Sequence, residues 1–239
     1  MSMRLRQTVA VLAAILILLF PLFRPLPSVS GAERIVVFGE YPVVPELGSG
    51  RFGGEEGKTP AVPFIEYGKG SDYREKAMIE ARHFLDAGVY GYTFAYRPGS
   101  SLMKTEESFT LELKGNVPRE AARQIGEGVE ENVYRVKLGF DLTPSVSAWR
   151  SAFRTNTIRL TDAEGTSEFA MGWEGRSDAY RDALKNLVLV AARIRLSSRP
   201  LLMKGDILIE GNPVFSVGAG RYYCRLQGYV NFIEIVTYD

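Results

Sequence analysis

Two stretches of the chain carry apolar residues at helical spacing. In the first, Tyr73, Ala77, Ala81, Phe84 and Leu85 recur along one side with Met78 beside them, while Arg74, Glu75, Arg82 and Asp86 occupy much of the other. Ser71-Asp72, with Glu75 three residues after the aspartate, offers a capping start and Gly88 a stop, so the pattern predicts an amphipathic helix over about 72–87. In the second stretch, Tyr180, Ala183, Leu184, Leu187, Val188, Ala191 and Ile194 follow Ser177-Asp178, and Pro200 forbids continuation. This predicts a helix over 178–196, and Leu189, Val190 and Ala192 widen its apolar face enough to make it the more buried of the two. The expected helix core is Tyr73, Ala77, Ala81 and Leu85 with Leu184, Leu187, Val188 and Ala191.

Elsewhere the period is two. Ile35 to Phe38 reads as a short first strand. Residues 89–114 read as a hairpin turning at Pro98-Gly99-Ser100, with Tyr90, Tyr92, Phe94 and Tyr96 on one side and Phe109, Leu111 and Leu113 in the returning strand. Pro118 to Gly126 suggests a helical turn or two, and Tyr134 to Leu142 alternates cleanly. Strands are expected around 153–160 and 168–173, then at 201–210, 214–217 and 222–238, with Gly211-Asn212-Pro213 and Gly218-Ala219-Gly220 as turns. The fold class this implies is α+β: mainly antiparallel sheet with two principal amphipathic helices packed on it. A faint echo joins Ser71-Asp72-Tyr73-Arg74 to Ser177-Asp178 with Tyr180-Arg181, as if two helix-plus-hairpin units shared an opening.

The chain's first 32 residues differ from the rest. Arg4 and Arg6 precede an unbroken apolar run from Val9 to Phe20, and the segment ends Ser-Gly-Ala. That is the pattern of a signal peptide cleaved after Ala32, with an uncleaved anchor as the rival reading. The organisation expected is a signal peptide over 1–32, a short strand plus a Gly/Pro-rich loop over 33–70, and a globular α+β domain over 71–239. Removing the leader takes three arginines and no acid, leaving 26 basic against 28 acidic side chains. Such a balance gives no large field for phosphate backbones or anionic lipid, so nucleic acid is not an expected partner. The mature domain is expected not to span a membrane, because charges occupy both faces of its strands. Periplasm or cell surface is the compartment that fits, and the absence of any Asn-x-Ser/Thr acceptor favours a bacterial envelope.

Candidate chemistry is sparse. Cys224 stands alone and alternates with Leu226 and Val230, which reads as a small buried thiol. Gly48-x-Gly50-x-x-Gly53 has dinucleotide-turn spacing, but Gly54-Glu55-Glu56-Gly57 and Pro60 follow where a helix must open. Gly57-Lys58-Thr59 lacks the earlier glycine of a phosphate loop, where Phe52 stands instead. His83 is the only histidine, on the charged side of the first helix, and reads as a solvated surface residue. A multi-histidine metal site and a Ser-His-Asp enzyme are therefore not expected, and no cofactor or metal is assigned. Carboxylate pairs remain available, though Glu106-Glu107 and Glu130-Glu131 read as solvated faces. The aromatic side of the hairpin carries the candidate ligand-binding residues Tyr90, Tyr92 and Tyr96, whose rings could form a glycan platform. The favoured reading packs them under the first helix or across the hairpin.

These readings lead to an exported, envelope-associated protein with a non-enzymatic interaction or structural role, its partner an envelope protein or glycan. Two alternatives stand beside it: a carboxylate-dependent hydrolase of envelope polysaccharide, and a glycan or small-ligand binder using the tyrosine-rich hairpin.

Overall fold

Backbone pairing rather than local pattern decides several of the elements. The computed structural model describes residues 33–43, 64–65, 72–101, 104–155, 158–196, 198 and 200–237. The expected leader, and the glycine motifs at 48–54 and 57–59, lie outside the described residues. Among the described residues, eight strands form two antiparallel sheets. The smaller has the order β1-β5-β4, from β1 (Arg34–Pro42), β4 (Arg123–Glu130) and β5 (Val133–Asp141). The larger has the order β3-β2-β7-β8-β6, from β2 (Tyr92–Arg97), β3 (Ser108–Leu113), β6 (Leu160–Glu168), β7 (Pro200–Gly218) and β8 (Arg221–Thr237). Three helices pack on them: α1 (Tyr73–Tyr90), α2 (Pro144–Phe153) and α3 (Trp173–Arg195). The α+β class and its antiparallel sheets stand as expected.

The two principal helices bury most of their expected faces, though Tyr73 is half-buried and Ile194 exposed, and they change their ends. Asp72 caps α1 by accepting the Glu75 amide at 2.8 Å. The helix does not stop at Gly88, which is buried inside it, but runs on to Tyr90, where Gly91 takes a φ of 72° and bonds back to the Ala87 carbonyl. Tyr90 therefore belongs to α1 and not to the hairpin strand. At the other helix Ser177 and Asp178 lie inside α3, which already starts at Trp173. Gly175 disguised that first turn: an added Cβ there would press on the Glu168 carbonyl oxygen at 2.8 Å, so a helix-weakening residue is required by close packing.

Four further expectations are corrected. Residues 144–153 form α2 instead of leading into a strand at 153–160; Thr143 accepts the Val146 amide and Pro144 occupies the first turn. β6 follows at 160–168, and residues 168–173 hold a 3₁₀ turn (Phe169–Met171) and the start of α3 rather than a strand. Pro118 to Gly126 yields a turn and then β4, whose eight residues are all exposed. Gly211-Asn212-Pro213 is not a turn either. β7 runs through it as a bulge, its register stepping from Glu210 opposite Gln227 to Val214 opposite Arg225. The bulge aims Asn212 at β1, where its amide donates to the Val36 carbonyl at 3.1 Å. The real turn is Ala219-Gly220, both at positive φ, the geometry of a two-residue hairpin.

α1 lies on β1 and β5 and also touches β7, while α3 lies on β6 and β8. Both helices meet their strands through one device. Gly39 of β1 sits against Ala77 and Ala81, and Gly165 of β6 sits against Ala179 and Ala183; a Cβ at either glycine would come closer than 3.0 Å to helix backbone. The residue after each glycine donates its amide to the acid preceding the second alanine, Glu40 to Glu80 at 2.6 Å and Thr166 to Asp182 at 3.0 Å. Ala77-x-x-Glu80-Ala81 and Ala179-x-x-Asp182-Ala183 thus clasp their strands alike. The two helices share a core in which Tyr92, Tyr180, Leu184, Leu187, Ile207 and Cys224 are wholly buried. α2 is tied on by Arg150, which donates to the Gly88 carbonyl and pairs with Glu210 at 3.3 Å.

Candidate functional site

One flank of α1 is left uncovered by β1. Ala77, Ala81 and Leu85 face the sheet, which turns Ile79, Arg82, His83 and Asp86 toward β2 and β3. Leu111 and Leu113 of β3 form the opposite wall, Phe64 and Ile65 a third side, and Tyr92 the floor of a cleft of about 480 Å³. Ile65 is pinned there by its amide, which donates to the Ser177 hydroxyl at 2.6 Å.

His83 is the main correction at this site. It is not a solvated surface residue: its Nε2 shares a hydrogen bond of 2.8 Å with the Tyr92 hydroxyl, which shares another of 3.1 Å with the Tyr180 hydroxyl. Phe64 meets the imidazole edge-on at 5.2 Å, and Tyr180 stands at 6.2 Å. Loss of water lowers the histidine pKa from 6.5 to about 4, so the ring is neutral at physiological pH and supplies polar atoms without charge. Burial also raises the Tyr92 and Tyr180 phenols, which stay protonated. The folded state thus binds the His83 proton more weakly than the unfolded chain. The stability this represents is full above pH 6.5 and is lost as the pH falls toward 4. The imidazole resonances should titrate with a midpoint near 4 by NMR; a midpoint near 6.5 would place the ring in water.

Among the described residues, two charged groups border the cleft. Asp86 accepts the Val117 amide through Oδ1 at 2.7 Å, and burial raises its carboxyl. Arg82, half-buried one turn earlier on α1, has no hydrogen bond or ion pair among the described residues. Its only electrostatic relation there is a longer-range one with Asp86.

The three candidate tyrosines go to separate places. Tyr92 floors the cleft, Tyr96 lines a smaller apolar cavity of about 230 Å³ with Leu189, Leu196 and Met203, and Tyr90 packs over Gly115. Tyr92 and Tyr96 are buried, and the Tyr96 hydroxyl donates to Glu107 at 2.7 Å, so the rings form no shared exposed platform.

A pair of carboxylates that sequence reasoning did not single out lies deeper, away from the cleft. Glu80, fully buried on α1, and Glu40 on β1 are both held by Arg176 of α3 at 2.9 Å, and Arg135 reaches Glu40 at 2.6 Å. The Arg176 guanidinium lies over the Phe215 ring at 3.7 Å. Burial raises the Glu80 carboxyl beyond what Arg176 recovers. Burial acts the same way on Glu40, but Arg176 and Arg135 outweigh it and hold that carboxyl low. With both acids engaged by arginine, this arrangement joins α1, β1, β5 and α3. Cys224, wholly buried, has its thiol pushed up by the same loss of water. Among the described residues no group of three or more metal-ligating side chains converges, and no helix is long and apolar enough to cross a membrane.

Residues 48–238 match the model of a protein family whose function is uncharacterised. The chain belongs to that family. No curated protein and no solved structure matches it. The match covers α1 through β8 and so includes the cleft on both walls, while β1 and the Glu40 end of the ion network precede it.

Proposed function

We propose that this protein is an exported, envelope-associated binding domain without catalytic function, whose ligand is a small molecule with an apolar body seated in the cleft above His83 and Tyr92. The observation that carries the reading is the cleft itself: a concavity of about 480 Å³ with an aliphatic and aromatic lining and a few convergent polar groups. That combination is the usual form of a small-molecule site. Export is supported by the basic start, the apolar run and the Ser-Gly-Ala end of residues 1–32. Hydrolysis of a glycosidic bond needs two carboxylates flanking the substrate. Among the described residues the cleft offers one, Asp86, and an amide already occupies one of its oxygens.

The test is direct. The protein secreted by a bacterial host should begin near Glu33 and bind a neutral solvatochromic probe such as N-phenyl-1-naphthylamine with a blue shift. Leu113→Arg, which fills the cleft from its outer wall, should abolish the shift while leaving the circular dichroism unchanged. Probe binding unaffected by that substitution would remove the cleft reading, and retention of Met1 would remove cleavage.

A further inference from the structure

We propose that the cleft selects a monoanionic amphiphile, its charged end anchored by Arg82 and its chain lying against Ile79, Leu111 and Leu113. This rests on the reading of the cleft as a ligand site and adds the chemistry of the ligand. Arg82 lines the cleft half-buried, without a hydrogen-bonding partner or ion pair among the described residues. The other arginines that reach into the protein are engaged: Arg176 with Glu40 and Glu80, Arg150 with Glu210 and the Gly88 carbonyl. A partly desolvated guanidinium with its donors unused is matched best by a planar oxyanion that can take two of them at once.

Three further groups narrow the class. Asp86, one turn along the same helix, repels added negative charge; a singly charged head can sit on Arg82 away from it, while a second charge raises the cost. His83 contributes a neutral imidazole that can hydrogen-bond to a head group without adding positive charge. The wall opposite α1 is aliphatic at Leu111 and Leu113, with Phe64 beside them, so the hydroxyls of a glycan would be buried there without partners. An alkyl or aryl chain would not incur that cost.

The experiment uses the mature protein and displacement of N-phenyl-1-naphthylamine by four ten-carbon compounds below their micellar concentrations at pH 8: decanoate, decanol, decylamine and decyl phosphate. Decanoate should displace the probe at a concentration at least about tenfold lower than decanol, as a charge-assisted hydrogen bond predicts. Decylamine and the dianionic phosphate should both be weaker than decanoate. Arg82→Gln should bring decanoate to the level of decanol without affecting decanol, and Arg82→Lys should retain part of the preference. Equal displacement by decanoate and decanol, or a preference that survives Arg82→Gln, overturns the anion assignment while probe binding keeps the cleft reading intact. Failure of the wild-type protein to bind the probe at all overturns both.

Discussion

Arg176→Met is expected to lower stability by about 3–5 kcal/mol at neutral pH, the range for removing one partner of a buried ion pair. Glu80 has no exposed surface, and Arg176 Nε reaches its Oε1 at 2.9 Å. Without it, one carboxylate oxygen still accepts the Glu40 amide while the other loses the guanidinium that neutralised it. Glu40 loses Arg176 as well but keeps Arg135 at 2.6 Å and is partly open to water, so the damage concentrates at Glu80. The pH dependence follows from the sign of the shift. Glu80 already has a carboxyl raised above its ordinary value by burial, and the substitution raises it further. A folded state that holds the proton more tightly than the unfolded chain is favoured at low pH, and this contribution is lost as the pH rises through the folded pKa. The deficit of Arg176→Met relative to wild type should accordingly be large in urea denaturation at pH 8 and shrink at pH 5. A difference below about 1 kcal/mol at pH 8, or one independent of pH, would mean that water reaches Glu80. Glu80→Leu combined with Arg176→Met should recover part of the loss, because an apolar pair of similar volume removes the stranded charge.

That ion pair also shows what was and was not legible in the chain. The apolar spacing of both helices is strong enough to survive wrong ends, since burial of Ala77, Ala81, Leu184 and Leu187 depends on phase and not on the cap. Glu80 falls in the α1 stripe between Ala77 and Phe84, and Arg176 falls in the α3 stripe ahead of Ala179, Tyr180 and Ala183. A single acid on one buried stripe and a single base on another is a readable sign of a buried pair. Ser177-Asp178 masks it by imitating a capping start just past the arginine. β4 had no such signal. Its residues Arg123-Gln124-Ile125-Gly126-Glu127-Gly128-Val129-Glu130 are all exposed, and it is a strand only because β5 pairs with it, so no alternation marks it. The cleft was half legible. Alternation puts Leu111, Leu113 and Tyr92 on their strands, but His83 reads as solvent-facing on helical spacing alone. Its cover comes from Phe64, Tyr92 and Tyr180, which only tertiary packing brings together.

The second large effect is expected at the glycine clasps. Gly165→Ala should destabilise by about 3 kcal/mol or more, at the upper end of what overpacking costs. The added methyl group would enter the space of the Ala179 carbonyl oxygen and the Ala183 amide nitrogen, both backbone atoms of α3 and neither able to turn away as a side-chain tip could. Relief requires α3 to lift from β6, which breaks the bond from the Thr166 amide to Asp182 and opens the apolar seam that holds Ala179 and Ala183 in the core. Gly39→Ala should behave alike for the same reason, against Ala77 and Ala81 of α1. Trimming the partner, Ala183→Gly, should not rescue Gly165→Ala, because the obstructing atoms are main chain. The control is Gly128→Ala on the exposed β4, where nothing lies within 4 Å of the new methyl group. There the unfolded chain loses more freedom than the folded one, and stability should stay level or rise by up to about 1 kcal/mol. Chemical denaturation of the three single variants decides the matter. Equal stability of Gly165→Ala and Gly128→Ala would mean that α3 does not rest on β6 at backbone contact, and the shared clasp would lose its energetic basis.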